Sequence, residues 1–194
     1  MNPFSRRRFL ASLGALAAAG FAGSRWPGLL RRESHDGQSS FVRSGAALGT
    51  TVTLTVVHEE VGTAEASVSA AFAALDEVEE VMSLYRPHSQ LSRLNRDRKL
   101  ADPHPDLVTV LLAAETLSRQ SGGAFDATVQ PLWSVYAAAN RQGRSPAAEE
   151  IAAARRRVGW ERVEIAPTAI RLRDEGTEVT LNGIAQGFAV DKVL

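Results

Sequence analysis

Residues 180–191 constrain the fold most, because a strand pattern changes there into a helix pattern within two residues. Residues 178–181 alternate polar and apolar side chains, which predicts a strand. Asn182 follows, and its side-chain oxygen suits the N-cap of a helix. Gly183 and Gly187 lie four residues apart and would share one helix face. Such a bare face either packs against a neighbouring element or lets a phosphate approach the helix start, and spacing alone leaves both open.

Composition excludes several classes of protein. The 22 basic and 22 acidic residues balance to a formal net charge of zero, so nothing indicates a nucleic-acid partner. The chain has no cysteine, which excludes disulfides, thiolate nucleophiles, cysteine metal ligands and a lipid-modified N-terminal cysteine. Its 194 residues leave room for one domain of ordinary size after a targeting segment.

The N-terminus is typical of a twin-arginine export signal. Arg6, Arg7 and Arg8 precede Phe9-Leu10, and a weakly apolar run rich in alanine and glycine follows. This run is too short to span a membrane comfortably, although an uncleaved anchor stays an alternative. We predict a periplasmic protein, or one on the periplasmic face of the inner membrane. Its predicted parts are a signal segment at 1–23, a polar tether at 24–40 and one domain at 41–194.

Hydrophobic periodicity predicts helices and short strands along that domain. A half-buried strand is expected at 51–56, and Gly49 before it would let the backbone bend or a ligand come close. Helices are expected at 63–82, from Ser89 through Asn95, at 106–120 and at 146–158. Short antiparallel strands are expected at 163–165, 170–172 and 178–181.

Two polar positions are candidate ligand contacts. Tyr85 can stack on a flat ring, but a tyrosine in this setting is more often in the core or at its rim. Asp126 can accept a hydrogen bond from a ligand, or it can cap the segment that begins at Ala127. Thr128 offers the same two roles. The acidic run at 76–80 is expected to be a solvated helix face rather than a metal site.

Five blocks together resemble the ApbE family, the FAD:protein FMN transferases. They are Leu48-Gly49-Thr50, residues 82–87 with 91–95, residues 123–129, Val158-Gly159-Trp160, and residues 182–191. The resemblance implies an α+β fold in which helices pack on antiparallel sheets. It also implies an enzyme that binds FAD and Mg²⁺, cleaves the FAD diphosphate and attaches FMN to a Ser or Thr hydroxyl of a target flavoprotein.

The resemblance also implies roles for individual residues. The implied FAD-binding residues are Leu48, Tyr85, Ala124, Phe125, Asp126, Thr180 and Gln186. The backbone carbonyl of Gly183 is the implied metal ligand, which suits Mg²⁺ as a hard cation. Leu48 stands where the family usually has Met, Thr180 where it commonly has Asp, and Gln186 where it often has Lys. A carboxylate and a positive charge are therefore missing from the expected pattern.

The sequence stops at Leu194, inside the helix that Gly183 was expected to open. The resemblance places the catalytic and further metal-binding residues beyond Leu194, so we expect a truncated member of the family with an incomplete site. Two alternatives stay open: an exported flavin-binding or maturation-accessory protein without transferase activity, and an inactive fragment. The expected partners are FAD and a target flavoprotein with an acceptor Ser or Thr, and the N-terminus offers membrane association.

Overall fold

The computed structural model describes residues 31–35 and 38–194. The signal segment predicted at 1–23 lies outside these residues. The described residues divide into two compact units, the first ending at Leu75 and the second being Asp76–Leu194. Helix α1, Val61–Met82, contributes residues to both units. No helix in the described ranges is both long and apolar enough to cross a membrane.

The first unit contains a three-stranded antiparallel sheet in the order β1-β2-β3. Its strands are β1 (Arg31–His35), β2 (Gln38–Ala47) and β3 (Thr50–Val57). A two-residue turn joins β2 to β3, and both of its residues, Leu48 and Gly49, have positive φ angles of 53° and 72°. Tight hairpin turns of this kind need positive φ at both central positions, so the bend expected at Gly49 is confirmed.

The side chains of β3 alternate between half-buried and exposed, as predicted from its sequence. Residues 31–35 and 38–40 form strands, although the sequence assigned them to a polar tether. β1 and β2 pair through their backbones. Arg31 lies opposite Val42 at one end of this pairing, and His35 lies opposite Gln38 at the other end. Because ladder hydrogen bonds use only the backbone, a polar sequence can pair in this way without an apolar pattern.

The second unit combines five helices with a small sheet. After α1 come α2 (Gln90–Asp97), α3 (Pro105–Gln120), α4 (Gln130–Arg141), α5 (Ala148–Arg155) and α6 (Ala185–Val193). The sheet is antiparallel in the order β4-β6-β5, with β4 at Lys99–Ala101, β5 at Val163–Ala166 and β6 at Ala169–Leu172. A 3-10 turn, Trp160–Arg162, leads into β5.

Apolar side chains at helical spacing form the core of the second unit. Leu91 and Leu94 of α2 and Leu107 of α3 are fully buried, and Ile170 of β6 joins them. Ser89 caps α2, because its side-chain oxygen accepts from the Ser92 N–H. The predicted helices at 63–82, 89–95 and 106–120 are therefore confirmed. The helix predicted at 146–158 is shorter, at Ala148–Arg155.

Two predictions near the C-terminal end of the sequence are wrong. Residues 178–181 are extended but join no sheet among the described strands. Asn182 caps no helix, because α6 begins at Ala185, with Ile184 as its N-cap residue. The Ile184 and Ala185 N–H groups both donate to the Leu181 carbonyl, which puts the intervening residues in a turn. Gly183 thus lies outside the helix and does not share a face with Gly187.

Candidate functional site

A groove in the second unit collects residues from four separate parts of its sequence. Its volume is about 320 Å³, and its lining residues are Leu84, Ser92, Asn95, Arg96, Gln130 and Glu178. Four of these six side chains are uncharged and polar or carry a positive charge, and each of them donates to another group of the chain: Ser92 to Ser83, Asn95 to Val179, Arg96 to Asp97 and Gln130 to Ser134. The groove is an opening of the kind in which small molecules bind.

Asn95 joins two walls of this groove. Its Nδ2 donates to the Val179 carbonyl at 2.8 Å, and its Oδ1 accepts from the Val179 N–H at 2.8 Å. The side-chain amide thus makes both bonds that a neighbouring strand would make. Val179 is fully buried, so this pairing satisfies polar backbone groups that water cannot reach. Residues 178–181 are held in extended form by this side chain rather than by a sheet.

Tyr85 lies in a turn that hydrogen bonds of Ser83 connect to the start of α2. The Ser83 carbonyl accepts from the hydroxyls of Ser89 and Ser92, at 2.5 Å and 3.0 Å. The Ser83 hydroxyl in turn accepts from the Tyr85 N–H at 3.1 Å. The Tyr85 side chain is 62% exposed, so it does not belong to the core. A rigid turn thus presents an aromatic ring to solvent, beside groove residue Leu84.

Arg86 anchors the same turn to the end of α1. Its guanidinium bonds the carboxylates of Asp76, Glu79 and Glu80. Partial burial acts to lower the pKa of Arg86, but the three carboxylates outweigh it and the pKa is raised. The acidic run is therefore not simply the solvated face that the sequence predicted, because three of its members hold the turn in place.

Asp126 and Thr128 connect the block at residues 123–129 to the block at residues 158–160. Asp126 Oδ1 accepts from the Thr128 N–H at 2.7 Å and from the Thr128 hydroxyl at 2.6 Å. Asp126 Oδ2 accepts from the Trp160 N–H at 3.1 Å, and the Thr128 hydroxyl accepts from the Gly159 N–H at 2.7 Å. The Trp160 ring also lies 5.6 Å from the Arg119 guanidinium. Asp126 caps a local turn and reaches across the fold at the same time.

The segment around Phe125 also meets the turn at Gly183. A Cβ placed on Gly183 would lie 3.3 Å from Cε2 of Phe125, so glycine allows the ring to approach the backbone there. Two residues after Phe125 and three residues before Gly183, the same two segments meet again, as the Thr180 N–H donates to the Ala127 carbonyl at 2.7 Å. The structure therefore brings together the two segments that carry Phe125 and Asp126 on one side and Thr180 and Gly183 on the other.

The remaining predicted site residues are placed as follows. Ala124 is exposed, and Gln186 is exposed in the first turn of α6. Thr180 is buried, and its hydroxyl accepts from the Asn182 N–H at 3.3 Å. Leu48 is half-buried in the hairpin turn of the first unit, whereas the other predicted site residues belong to the second unit. Their roles toward a ligand stay predictions.

A possible metal-ligating group lies elsewhere in the second unit. Among the residues described, only Glu77, His104 and Asp106 place three ligand atoms within 4.8 Å of one another. The Lys192 ammonium forms salt bridges with both carboxylates, at 2.9 Å to Glu77 and 2.5 Å to Asp106. A positive charge that belongs to the chain thus already neutralises this cluster, so the cluster is better described as a salt-bridge network.

Sequence reasoning missed two of the residues that line the groove. Asn95 was treated only as the end of a short helix, and Gln130 was given no role. A signal for Asn95 was present, because it lies four residues after Leu91 and therefore on the buried side of α2. A polar amide at such a position needs a partner, which here is Val179.

Comparison with known proteins identifies the chain at the level of its family. The sequence profile of the ApbE family matches residues 48–194. The chain belongs to the ApbE family. All five blocks named in the sequence analysis lie within the matched residues, so the predicted resemblance is confirmed.

Two curated relatives carry the name FAD:protein FMN transferase. The protein from Haemophilus influenzae is 29% identical over 162 residues, which cover 77% of this chain and 46% of the relative. The protein from Vibrio cholerae is 31% identical over 157 residues, with the same two shares. This chain therefore spans about half the length of the curated relatives that it matches.

Solved structures of the ApbE family share this fold. A mutant of the flavin transferase ApbE from Vibrio cholerae superposes with a TM-score of 0.68 at 27% identity, covering 79% of this chain and 55% of that one. The ApbE protein from Thermotoga maritima superposes with a TM-score of 0.71 at 22% identity, covering 79% and 51%. The predicted α+β fold of helices packed on antiparallel sheets is thereby confirmed.

Proposed function

We propose that this chain takes part in transferring FMN from FAD to a Ser or Thr hydroxyl of a target flavoprotein. The observation that carries the proposal is the convergence of the family's sequence blocks. Asn95 bonds Val179 beside the groove, and Asp126 bonds Trp160. Side-chain bonds thus fix the block at 123–129 to the block at 158–160, and the block that contains Asn95 to the segment just before residues 182–191, as a preorganised ligand site requires.

The chemistry of such a transfer is a phosphoryl-type substitution. The acceptor hydroxyl oxygen forms a bond to the FMN phosphorus, the diphosphate P–O bond breaks, and AMP leaves while the hydroxyl proton passes to solvent or a base. Positioning and charge stabilisation supply most of the catalysis in reactions of this type. In this chain, Arg96 and Gln130 line the groove while they donate to Asp97 and Ser134, and Tyr85 offers a ring for stacking.

The proposal includes a requirement for Mg²⁺, which would supply charge neutralisation at the diphosphate. The donor set present fits this ion poorly. Gly183 is exposed and offers a backbone carbonyl. Among the described residues, the cluster of Glu77, His104 and Asp106 is bonded to Lys192 and supplies no ligand at the Gly183 turn. Thr180 and Gln186 add no carboxylate near the turn. No step of the proposed reaction is therefore assigned to the metal through residues of this chain.

Export by the twin-arginine route belongs to the same proposal. Its support is the arginine run at residues 6–8 and the weakly apolar run after it. A periplasmic flavoprotein, or one at the periplasmic face of the membrane, would then be the acceptor. A fusion of residues 1–40 to a reporter that is active only after export would test this part by itself.

A second candidate function is flavin binding without transfer. The observation that favours it is Thr180, whose hydroxyl is bonded to the Asn182 N–H where the family commonly has a carboxylate. An accessory protein of this kind would hold FAD and leave its diphosphate intact.

The two candidates differ in their products. The full chain is incubated with FAD, with and without Mg²⁺, and with an apo-flavoprotein domain that carries an acceptor threonine. Transfer predicts AMP release and an acceptor whose mass rises by one FMN unit, while the accessory role predicts FAD binding alone. Absence of saturable FAD binding would contradict both.

A further inference from the structure

Thr128 is an enclosed polar group at the centre of the Asp126 network. Its side chain is fully buried, so it cannot contact a ligand directly. Its hydroxyl is used twice, as a donor to Asp126 Oδ1 at 2.6 Å and as an acceptor from the Gly159 N–H at 2.7 Å. One hydroxyl thus connects a carboxylate to a backbone segment 31 residues further along the chain.

The same network fixes both oxygens of Asp126. Oδ1 accepts from the N–H and the hydroxyl of Thr128, and Oδ2 accepts from the Trp160 N–H. A carboxylate has about four acceptor positions, so one position stays open after these three bonds. Rotation of the Asp126 side chain would break bonds to Thr128 and to Trp160 together. The direction of the open position is therefore set by the network.

We propose that Thr128 is a positioning residue of the flavin site, acting through Asp126 and through the Gly159-Trp160 backbone. This inference rests on the proposed function, since it assumes that the site holds FAD. Thr128 orients the Asp126 carboxylate so that its open acceptor position faces the ligand. It also fixes the start of the 3-10 turn that carries the Trp160 ring. Threonine suits this place because its branched side chain has few rotamers.

The test distinguishes the contribution of the Thr128 hydroxyl from the contribution of the branched shape of its side chain. Thr128→Val keeps the branched shape but removes the hydroxyl, and Thr128→Ser keeps the hydroxyl. Thr177→Val is the matched control, since Thr177 is also fully buried and its hydroxyl donates to the Arg157 carbonyl at 3.2 Å. FAD is titrated into the full chain and each variant, with tryptophan fluorescence as the readout. Unfolding in urea is measured in parallel.

The expected results form a pattern that general destabilisation would not produce. Thr128→Val weakens FAD binding about tenfold, because a bond to a charged group is lost. Thr128→Ser stays within about threefold of the unsubstituted chain, and Thr177→Val leaves the dissociation constant unchanged. Thr128→Val added to Asp126→Ala costs much less than Thr128→Val alone, because the bond to the carboxylate is already gone and only the bond from the Gly159 N–H to Thr128 remains to be lost.

Two results would overturn the inference while the proposed function stands. In one, Thr128→Val binds FAD as tightly as the unsubstituted chain. In the other, its effect adds in full to that of Asp126→Ala. An unsubstituted chain that does not bind FAD removes the proposed function itself, and this inference with it.

If Thr128→Val does not fold, Thr128→Ser and Asp126→Asn decide the matter. An asparagine keeps one acceptor oxygen, which cannot serve the donors of Thr128 and Trp160 at once. Weak FAD binding and fast hydrogen exchange of the Trp160 amide are then expected in Asp126→Asn but not in Thr128→Ser. Wild-type FAD affinity in Asp126→Asn would contradict the positioning role.

Discussion

The side-chain amide of Asn95 pairs with the backbone of Val179 through two hydrogen bonds of 2.8 Å each. The two residues are 84 positions apart, and the pairing holds an extended segment that joins no sheet in the described part of the chain. Because this segment leads directly to the Gly183 turn, the pairing with groove residue Asn95 helps to fix the position of that turn.

Asn95→Ala is expected to lower the free energy of unfolding by about 2 kcal/mol. The substitution removes two hydrogen bonds and leaves the N–H and C=O of buried Val179 without their partner. Urea unfolding measures the change. Asn140→Ala is the control, because Asn140 is exposed on α4. A loss for Asn95→Ala that is no larger than the loss for Asn140→Ala would show that the pairing contributes little.

Tyr85→Ala is expected to separate ligand binding from stability. The ring is 62% exposed, so we expect the free energy of unfolding to change by less than about 0.5 kcal/mol. If the ring stacks on FAD, its loss weakens binding about tenfold. Tyr136→Ala provides the comparison, as Tyr136 is 48% exposed on α4. Equal FAD affinity in both variants would remove Tyr85 from the site.

The salt-bridge network at Lys192 is expected to weaken at high pH. Partial burial acts to lower the Lys192 pKa, but bonds to Asp106 and Glu77 raise it above the ordinary 10.5. A raised lysine pKa means that the network stabilises the fold at neutral pH, and that this contribution is lost as the pH rises through the raised value. Lys192→Met should therefore be less stable than the unsubstituted chain at neutral pH, by about 1 kcal/mol.

The Lys192→Met substitution also tests the nature of the cluster. Without the ammonium, Glu77, His104 and Asp106 are left together, and a divalent cation such as Zn²⁺ is expected to raise the melting temperature of the variant. The unsubstituted chain should show a smaller shift. Equal shifts in both proteins would mean that Lys192 does not occupy the position of a cation.

Glu150 is expected to titrate well below the ordinary range. Hydrogen bonds from Arg144, and then from the Ala147 N–H, lower its pKa from 4.5 to about 2. Because the Glu150 pKa is lowered, the ionised carboxylate stabilises the start of α5 at pH values above its ordinary pKa. This stabilisation is lost as the pH falls through the lowered pKa. Carbon NMR of the side-chain carboxyl follows the titration. Glu149, which has no such bond among the described contacts, gives the reference resonance.

Local patterns predicted α1, α2, α3, β5 and β6 well, because their signals lie within a few residues of each other, but α4 (Gln130–Arg141) was not predicted. Ser89 caps α2 as expected from its side chain, and Leu48-Gly49 turns the first hairpin. The three-residue strand Lys99–Ala101 was missed, since only Leu100 within it is buried and so short a segment carries no periodicity.

The wrong predictions arose where distant residues decide the local structure. Residues 178–181 have a strand pattern, but their backbone partners are the Asn95 side chain and the Ala127 carbonyl. Asn182 has the chemistry of a helix cap, yet the Leu181 carbonyl binds the next two available N–H groups and delays the helix to Ala185. The resemblance to the ApbE family supplied the candidate site, while the bonds of Asp126 to Trp160 could be known only from the folded chain.

Hydrogen exchange of the full chain, with and without saturating FAD, tests whether the groove and the segments bonded to it hold the flavin. Slower amide exchange on FAD addition is expected in four segments that lie around the groove and its bonded neighbours. These are residues 84–96, 125–130, 158–160 and 178–183. Helix α5 should be unaffected, because none of its residues lines the groove. Unchanged exchange throughout the second unit, or protection confined to α5, would contradict the account.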